Sequence, residues 1–164
     1  LTGHLVLSTV HTNDAAGAVT RLVDMGVQPF LVASSLVGIL AQRLVRVLCP
    51  RCRTPYLPTR EERDQVGLGD DIWAQAGNPK AIFKAQGCPA CQQTGYQGRT
   101  GIYELMLVDD DIRQLILKNV DSSTIKRAAL GRGMLTLMQH GAYKVATGVT
   151  TPAEVLSVTA EDLH

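Results

Sequence analysis

Aromatic residues are scarce in this chain, since one Trp, two Phe and four Tyr make up only 4% of its 164 residues. A core built around large rings is therefore excluded, and the interior must be assembled from Leu, Val, Ile and Ala, as in α/β proteins. Hydrophobic residues make up 45% and charged residues 19% of the sequence, which excludes disorder as the state of the whole chain. The length predicts one domain, or one domain with a small appendage.

Long apolar runs and an excess of one charge are also missing. The longest apolar stretch, Phe30–Leu48, is interrupted by serine, glutamine and arginine, so no transmembrane segment is predicted. Sixteen basic and fifteen acidic residues give a net charge of +1, which offers no electrostatic support for a nucleic-acid or membrane-surface partner. No signal peptide is recognisable at Leu1, and we expect the chain to be part of a longer protein.

A phosphate-binding loop is the third absence. None of the five lysines follows a glycine, so the Gly-x-x-x-x-Gly-Lys-Ser/Thr pattern that cradles a nucleoside triphosphate does not occur. We therefore expect that the chain by itself binds nucleotide very weakly and does not hydrolyse ATP. The glycine-rich segment Gly95–Gly101 does not replace that loop, and we interpret it as a flexible return to the sheet.

The four cysteines are the strongest chemical signal in the sequence. They form two Cys-x-x-Cys pairs, each with proline in its second position: Cys49 with Cys52, and Cys88 with Cys91. Four thiolates can surround one metal ion as a tetrahedron, which is the geometry of a structural zinc site. The alternatives are another soft metal, a redox-active pair or four unrelated buried cysteines. Two matching pairs favour the metal, and we predict zinc.

A polar cluster after an apolar run is the second candidate site. The run His4–Val10 predicts a strand buried on both faces of a parallel sheet. Possible ligand-binding side chains follow near its carboxyl end: Thr9, His11, Thr12 and Asn13. Because ligands bind at that edge of open α/β sheets, the cluster could contact a phosphate or a nearby water molecule. The alternative is that His11 is a structural residue, and this alternative is stronger for His4.

Periodicity and capping residues predict the remaining elements. Leu36–Leu48 fits a buried helix or two short strands, and its β-branched residues favour strands; Ile102–Val108 predicts another strand. Asp109–Asp111 resembles an acidic metal-binding strand end but favours the first turn of a helix. The predicted helices run from Ala15 to about Met25, Pro29 to Ser35, Thr59 onward, Asp109 to Asn119, Ser122 or Ser123 to about Leu130, Thr136 to Thr147, and Thr150 or Thr151 to about Val158.

Residues 49–91 differ in composition from the rest of the chain. This segment contains five of the seven prolines and all four cysteines, whereas periodic apolar positions are few. We interpret it as a small insertion that has few apolar residues to share with the main core.

Several motifs, in order along the whole chain, resemble the secretion-traffic ATPases that drive type II secretion and type IV pili. Thr2–Asn13 resembles the "His box" of this family, and Ala41–Arg46 followed by the first cysteine pair resembles the segment after it. Gly98–Glu104 and Gly148–Val155 complete the match. In this family the phosphate-binding loop, the Asp box and the Walker B segment precede the His box, so the chain corresponds to the C-terminal half.

The resemblance implies an α/β fold in three parts. Residues 1–48 would be the C-terminal part of a RecA-like P-loop ATPase domain, and residues 49–91 a tetracysteine zinc subdomain. Residues 92–164 would contain a return strand and a C-terminal helical subdomain. His11 would be the His-box histidine near the γ-phosphate and His4 the second histidine, and both are candidate catalytic residues by this resemblance.

The resemblance also implies a function for the full-length protein. It would be a hexameric ATPase, using ATP and magnesium, at the cytoplasmic face of the bacterial inner membrane, where it couples hydrolysis to pseudopilus assembly and protein export. Its partners would be further copies of itself and the cytoplasmic domains of the membrane platform and ATPase-anchoring proteins. The alternatives are a type IV pilus assembly ATPase or a non-enzymatic zinc-bearing interaction module.

Overall fold

The computed structural model describes residues 3–77 and 80–160, and over these ranges the chain has a mixed α/β fold, as predicted. Thr2, in the His-box motif, and Pro79, in the proline-rich segment, lie outside the described residues. The chain divides into two compact units, the first made of Leu1–Ala41 with Glu104–Thr136 and the second of Gln42–Tyr103 with Leu137–His164. The three-part division at residues 49 and 92 stays a prediction.

Among the described residues, more lie in helices than in strands. The strands form two small sheets. Strand β1 pairs with β4, and β2 pairs with β3 in antiparallel register. The strands are β1 Gly38–Leu48, β2 Thr54–Tyr56, β3 Ile82–Lys84 and β4 Tyr96–Leu107. The helices are α1 Ala15–Asp24, α2 Pro29–Ser35, α3 Arg60–Val66, α4 Asp70–Ala76, α5 Asp110–Leu117, α6 Ser122–Gly131, α7 Leu137–Ala146 and α8 Pro152–Thr159.

In the first unit, α1 packs on α2 and α6, and α5 packs on the same two helices. Aspartate side chains begin three of these helices: Asp14 accepts the N–H of Gly17, Asp109 that of Ile112, and Asp121 that of Thr124. Each bond satisfies one of the backbone donors that a helix start leaves without an intrahelical acceptor. The predicted capping of α6 by Ser122 or Ser123 is wrong, because Asp121 precedes them and its carboxylate reaches the donor.

The predicted buried strand from His4 to Val10 is wrong for this chain. Residues 4–10 take no regular structure, and Leu5, Val6 and Leu7 are 81%, 78% and 89% exposed. A strand buried on both faces needs paired neighbours and covering elements, and in the described part of the chain the sheets consist of β1 with β4 and β2 with β3. The polar residues after Val10 therefore do not stand at the edge of a parallel sheet here.

In the second unit, the cysteine-containing segment contributes much of a shared core. Its buried residues are packed with those of α7 and α8 in one apolar cluster. The interpretation of residues 49–91 as an insertion with few apolar residues to share is therefore wrong. The cluster contains Val66, Leu68, Ile72, Trp73, Ile82, Ala142, Val145, Ala146 and Val155.

Two further segments differ from their predictions, and three short elements were not predicted. Leu36–Leu48 contains one strand, β1, rather than two. Gly95–Gly101 is not a flexible return, because β4 already begins at Tyr96. Helix α4 and the short strands β2 and β3 were not predicted, because a helix of seven residues and strands of three carry too little periodicity. Over the described residues, no helix has both the length and the apolar character needed to cross a bilayer.

Candidate functional site

The second unit brings all four cysteines together. Their Sγ atoms lie within 4.8 Å of one another, and each cysteine is a free thiol. Three measured Sγ–Sγ distances are 3.9 Å for Cys49–Cys88, 3.8 Å for Cys52–Cys91 and 3.7 Å for Cys88–Cys91. These distances are far too long for disulfides, whose sulfurs are about 2.05 Å apart.

Three of the six sulfur–sulfur distances fit one tetrahedral metal ion. Zinc–sulfur bonds of about 2.3 Å in a regular tetrahedron place the sulfurs about 3.8 Å apart. The three measured distances fall within a tenth of an ångström of that value. The donor set, four thiols and no open position, is that of a structural rather than a catalytic site. The four predicted metal-binding residues therefore form a cluster that could hold a metal ion.

Tight backbone turns aim each pair of sulfurs at the common centre. In the first turn, the carbonyl of Cys49 accepts the N–H groups of Cys52 at 3.3 Å and Arg53 at 3.0 Å. In the second, Pro89–Cys91 forms a 3₁₀ turn, and the carbonyl of Cys88 accepts the N–H of Cys91 at 3.1 Å. Proline in the second position suits both turns because its fixed φ matches the first turn of a helix.

Backbone N–H groups also point at one of the sulfurs. The Sγ atom of Cys91 accepts the N–H of Cys88 and the N–H of Gly95, each at 3.2 Å. Burial raises the pKa of this thiol, but the two backbone donors together with hydrogen bonds from the Cys88 and Cys52 thiols lower the pKa to about 6. Burial raises the pKa of Cys52 to about 11. The surroundings of Cys91 thus stabilise its thiolate, the form that binds metals.

The site is tied to the elements around it within the second unit. The N–H of Cys49 donates to Gly95 at 2.9 Å, and the N–H of Leu48 donates to Val149 at 2.8 Å. The guanidinium of Arg53 donates to the carbonyl of Gly148 and stacks 4.5 Å from the centre of the Phe83 ring. The first cysteine turn is therefore anchored to the residue just before β4 and to the connection between α7 and α8.

The predicted nucleotide-side residues lie in the first unit, on the irregular segment before α1. His4 and His11 are both exposed. Thr12 is folded onto the helix start, where its hydroxyl donates to the carbonyl of Asp14 at 3.1 Å. The catalytic roles of His11 and His4 stay predictions.

One buried carboxylate beside α1 was missed as a site candidate. Glu104 is 1% exposed, and its Oε1 atom accepts the N–H of Ala15 at 2.9 Å. A sequence signal for it existed, because Glu104 shares the inward register of β4 with Met106, a buried residue. A carboxylate at an inward position of a strand is unusual and marks a specific contact.

Comparison with known protein families places the chain clearly. Its sequence matches the family model described as "Type II/IV secretion system protein" over residues 1–157. It is 52% identical to type II secretion system protein E of Pseudomonas aeruginosa over 162 residues, which cover 99% of this chain and 31% of that relative.

Two further relatives extend the comparison to both kinds of system. The chain is 47% identical to type II secretion system ATPase E of Vibrio cholerae, with 98% of this chain and 31% of the relative covered. It is 45% identical to the type IV pilus assembly ATPase PilB of Thermus thermophilus, with 98% of this chain and 18% of that relative covered. The chain thus spans less than a third of the length of these relatives.

Proposed function

This chain belongs to the type II/IV secretion system protein family, and on that premise we propose that its full-length protein couples ATP hydrolysis to pseudopilus assembly and protein export by type II secretion. The observation that carries the proposal is the 52% identity to a type II secretion system protein E across 99% of the chain. Because the chain spans 31% of that relative, it supplies only part of the enzyme.

Residues 1–48, in this proposal, complete a RecA-like nucleotide-binding domain. The exposed side chains of Leu5, Val6 and Leu7 support this assignment. A segment with three such residues is suited to pair with further strands and to be covered by further helices. The helices α5 to α8, within residues 92–164, would belong to the C-terminal helical subdomain.

Zinc is the metal that we propose for the four cysteines. When bound, it would be held by Cys49, Cys52, Cys88 and Cys91 and would join the two turns of the second unit. The sulfur spacing and the all-sulfur donor set support zinc. Because the four thiols fill a tetrahedral coordination sphere, the metal would contribute stability and not catalysis.

ATP and magnesium would bind in the full-length protein, and we assign His11 to the nucleotide side of that site. A neutral imidazole there can hydrogen-bond the γ-phosphate or the attacking water. His4 would have a smaller role. Loss of His11 should leave nucleotide affinity within a few-fold, because the phosphate-binding loop supplies most of that affinity.

The proposed setting is the cytoplasmic face of a bacterial inner membrane. The protein would act as a homo-hexamer and would contact the cytoplasmic domains of the membrane platform and anchoring proteins, without a nucleic-acid partner. The near-zero net charge is consistent with docking to proteins rather than to nucleic acid or anionic lipid.

A type IV pilus assembly ATPase is the second candidate function. It is favoured by the 45% and 47% identities to pilus assembly ATPases of Thermus thermophilus and Acinetobacter baylyi. Deletion of the gene separates the two: loss of secreted proteins with intact pili supports the first function, and loss of pili with intact secretion supports the second. An unchanged phenotype in both assays contradicts both.

The enzymatic part of the proposal is tested with purified full-length protein. We expect ATP turnover by the wild type, and a kcat that is lower by about 10²-fold in His11→Ala, the range for loss of a positioned polar group. His4→Ala is the matched histidine control and should cost less. A His11→Ala enzyme with wild-type turnover and wild-type secretion would show that His11 is structural, whereas an inactive wild type contradicts the ATPase assignment.

A further inference from the structure

Glu104 is a buried carboxylate in a place where an apolar residue would be expected. It is 1% exposed, and the neighbouring inward residue of β4 in the first unit, Met106, is fully buried. Removing a carboxylate from water is costly unless it is hydrogen-bonded. The contacts of Glu104 therefore indicate what this side chain does.

Those contacts lead to the first residue of α1. The Oε1 atom of Glu104 accepts the N–H of Ala15 at 2.9 Å, while the Oδ1 atom of Asp14 accepts the N–H of Gly17 at 2.8 Å. Two of the four N–H groups that lack an intrahelical acceptor are thus bound by carboxylates. Negative charge at a helix N-terminus also interacts favourably with the helix dipole.

A salt bridge from α6 also holds the first turn of α1. The Nζ atom of Lys126 lies 2.9 Å from the Oδ2 atom of Asp14, and the two side chains are only 23% and 20% exposed. Asp14 is therefore held through one oxygen by α1 and through the other by α6. Such a partly buried pair is screened less by salt than a surface ion pair.

The turn itself is closely packed. The hydroxyl of Thr12 donates to the carbonyl of Asp14 at 3.1 Å. A Cβ atom added at Gly17 would lie 2.8 Å from both the Thr12 hydroxyl oxygen and the Asp14 Oδ1 atom. Both side chains thus lean over the first turn of α1, where only glycine leaves them room.

We propose that Glu104 is a positioning residue that fixes the start of α1 and thereby the residue His11 just before it, an inference that rests on the nucleotide-side role proposed for His11. His11 is exposed on an irregular segment. Its backbone position is therefore set by the anchored turn that begins at the next residue, Thr12. Loss of the Glu104 acceptor leaves the buried N–H of Ala15 without its carboxylate and lets the first turn fray.

The expected signature is a loss of rate with little change in nucleotide binding. A His11 that samples several positions spends less time in the reactive arrangement, and a displacement of about 1 Å can lower a rate by 10²-fold. In the full-length enzyme, Glu104→Leu should lower kcat by about tenfold or more, with KM for ATP within about threefold. Glu104→Gln keeps a side-chain oxygen that can accept the Ala15 N–H and should retain most of the rate.

A double-mutant cycle separates positioning from a general effect on the fold. If Glu104 acts through His11, Glu104→Leu should cost little further rate in a His11→Ala background. Lys126→Met, which removes the salt bridge to Asp14, should show the same dependence on His11. This variant is available if Glu104→Leu fails to fold. Asp110→Asn, an exposed change in the first turn of α5, is the matched control and should leave kcat unchanged.

The outcomes divide cleanly. Equal fold-losses from Glu104→Leu or Lys126→Met with and without His11 would overturn the positioning role and leave the function of His11 intact. Wild-type turnover in His11→Ala would overturn both proposals. A Glu104→Gln enzyme as impaired as Glu104→Leu would show that the charge, and not the acceptor for Ala15, is what matters, and would overturn the mechanism proposed here.

Discussion

Single residues decide whether the cysteine cluster of the second unit holds a metal. Each of the four sulfurs would be one ligand of the proposed metal ion, and any three of them would leave one position of the tetrahedron open. The exposed residue Arg51 lies between Cys49 and Cys52 in the sequence and is not one of the four sulfur ligands. This contrast between neighbours in one turn gives a matched pair of substitutions.

We predict that Cys88→Ser abolishes stoichiometric zinc binding and lowers the free energy of unfolding of the second unit by roughly 3 kcal/mol or more, because metal binding is coupled to folding. Arg51→Ala should change neither quantity. The measurements are elemental analysis and thermal unfolding of the purified protein. Wild-type protein without metal, with four freely titratable thiols, would contradict the zinc assignment.

The carboxylate of Glu154 should make a pH-dependent contribution to stability. Its Oε1 atom lies 2.6 Å from the guanidinium of Arg46 and its Oε2 atom accepts the Arg46 N–H at 2.9 Å. The guanidinium hydrogen bond lowers the pKa of Glu154, although partial burial opposes this shift. Since the folded pKa is depressed, the stabilisation is complete above the unfolded pKa of about 4.3 and is lost as the pH falls through the folded value.

We therefore predict that Glu154→Gln lowers the free energy of unfolding by about 1 kcal/mol at neutral pH, a modest value because the Arg46 side chain is 53% exposed. The difference from wild type should shrink toward zero below about pH 4. Glu61→Gln, an exposed change in the first turn of α3, is the control for helix-dipole effects. A difference that stays constant from pH 7 to pH 3 would show that the ion pair is not the cause.

Among the elements, the connection between α7 and α8 depends on one glycine. Gly148 has φ +73°, and a Cβ atom there would lie 2.7 Å from the Phe83 ring, which Arg53 covers on one side. Gly67 ends α3 with nearly the same φ, +71°, but nothing lies within 4 Å of its Cβ position. The two positions share their backbone conformation and differ in packing.

We predict that Gly67→Ala lowers the free energy of unfolding by about 1 kcal/mol, the penalty for a left-handed residue with a side chain. Gly148→Ala should cost about 1–3 kcal/mol more, because the added methyl group must displace Phe83. Chemical denaturation of both variants measures the difference. Equal costs would show that the Phe83–Arg53 contact does not restrict this connection.

How well the elements could be predicted depended on how local their causes are. The starts of α1 and α5 follow from an aspartate and the three residues after it, and the sequence indicates both. The cap of α6 was misassigned by one or two residues because aspartate and serine are both good caps. The core of the second unit could not be predicted, because Trp73 and Ile82 meet α7 and α8 through contacts that are remote in sequence.

The same distinction applies to the candidate sites. The spacing of the two Cys-x-x-Cys pairs in the sequence indicates that the four sulfurs meet, so all four members of the cluster were predicted. The contact between Glu104 and Ala15 joins residues 89 positions apart, and no local pattern pairs them. The buried strand at His4–Val10 was predicted from apolar content alone, although a strand also requires neighbours, and in the described part of this chain none lies beside it.

At the scale of the whole molecule, the exposed apolar side chains of residues 4–10 are the kind that a complete domain would bury. Leu5, Val6 and Leu7 are each more than three-quarters exposed, and burying three such side chains contributes about 1.5–3 kcal/mol each. The relatives are about three times as long as the part that this chain spans. We therefore expect the segment to pair and become covered in the full-length protein.

Hydrogen exchange tests this expectation directly. In the chain alone, the amides of Leu5, Val6 and Leu7 should exchange near the rate of an unstructured peptide, because residues 4–10 take no regular structure. In the full-length protein the same amides should be protected by at least about 10²-fold, since strand pairing makes exchange depend on opening of the sheet. The amides of α6 provide the internal control, because this helix is already formed in the chain alone. Equally fast exchange of residues 5–7 in both proteins would mean that the segment is not a strand of the larger domain, and it would contradict the RecA-like assignment of residues 1–48.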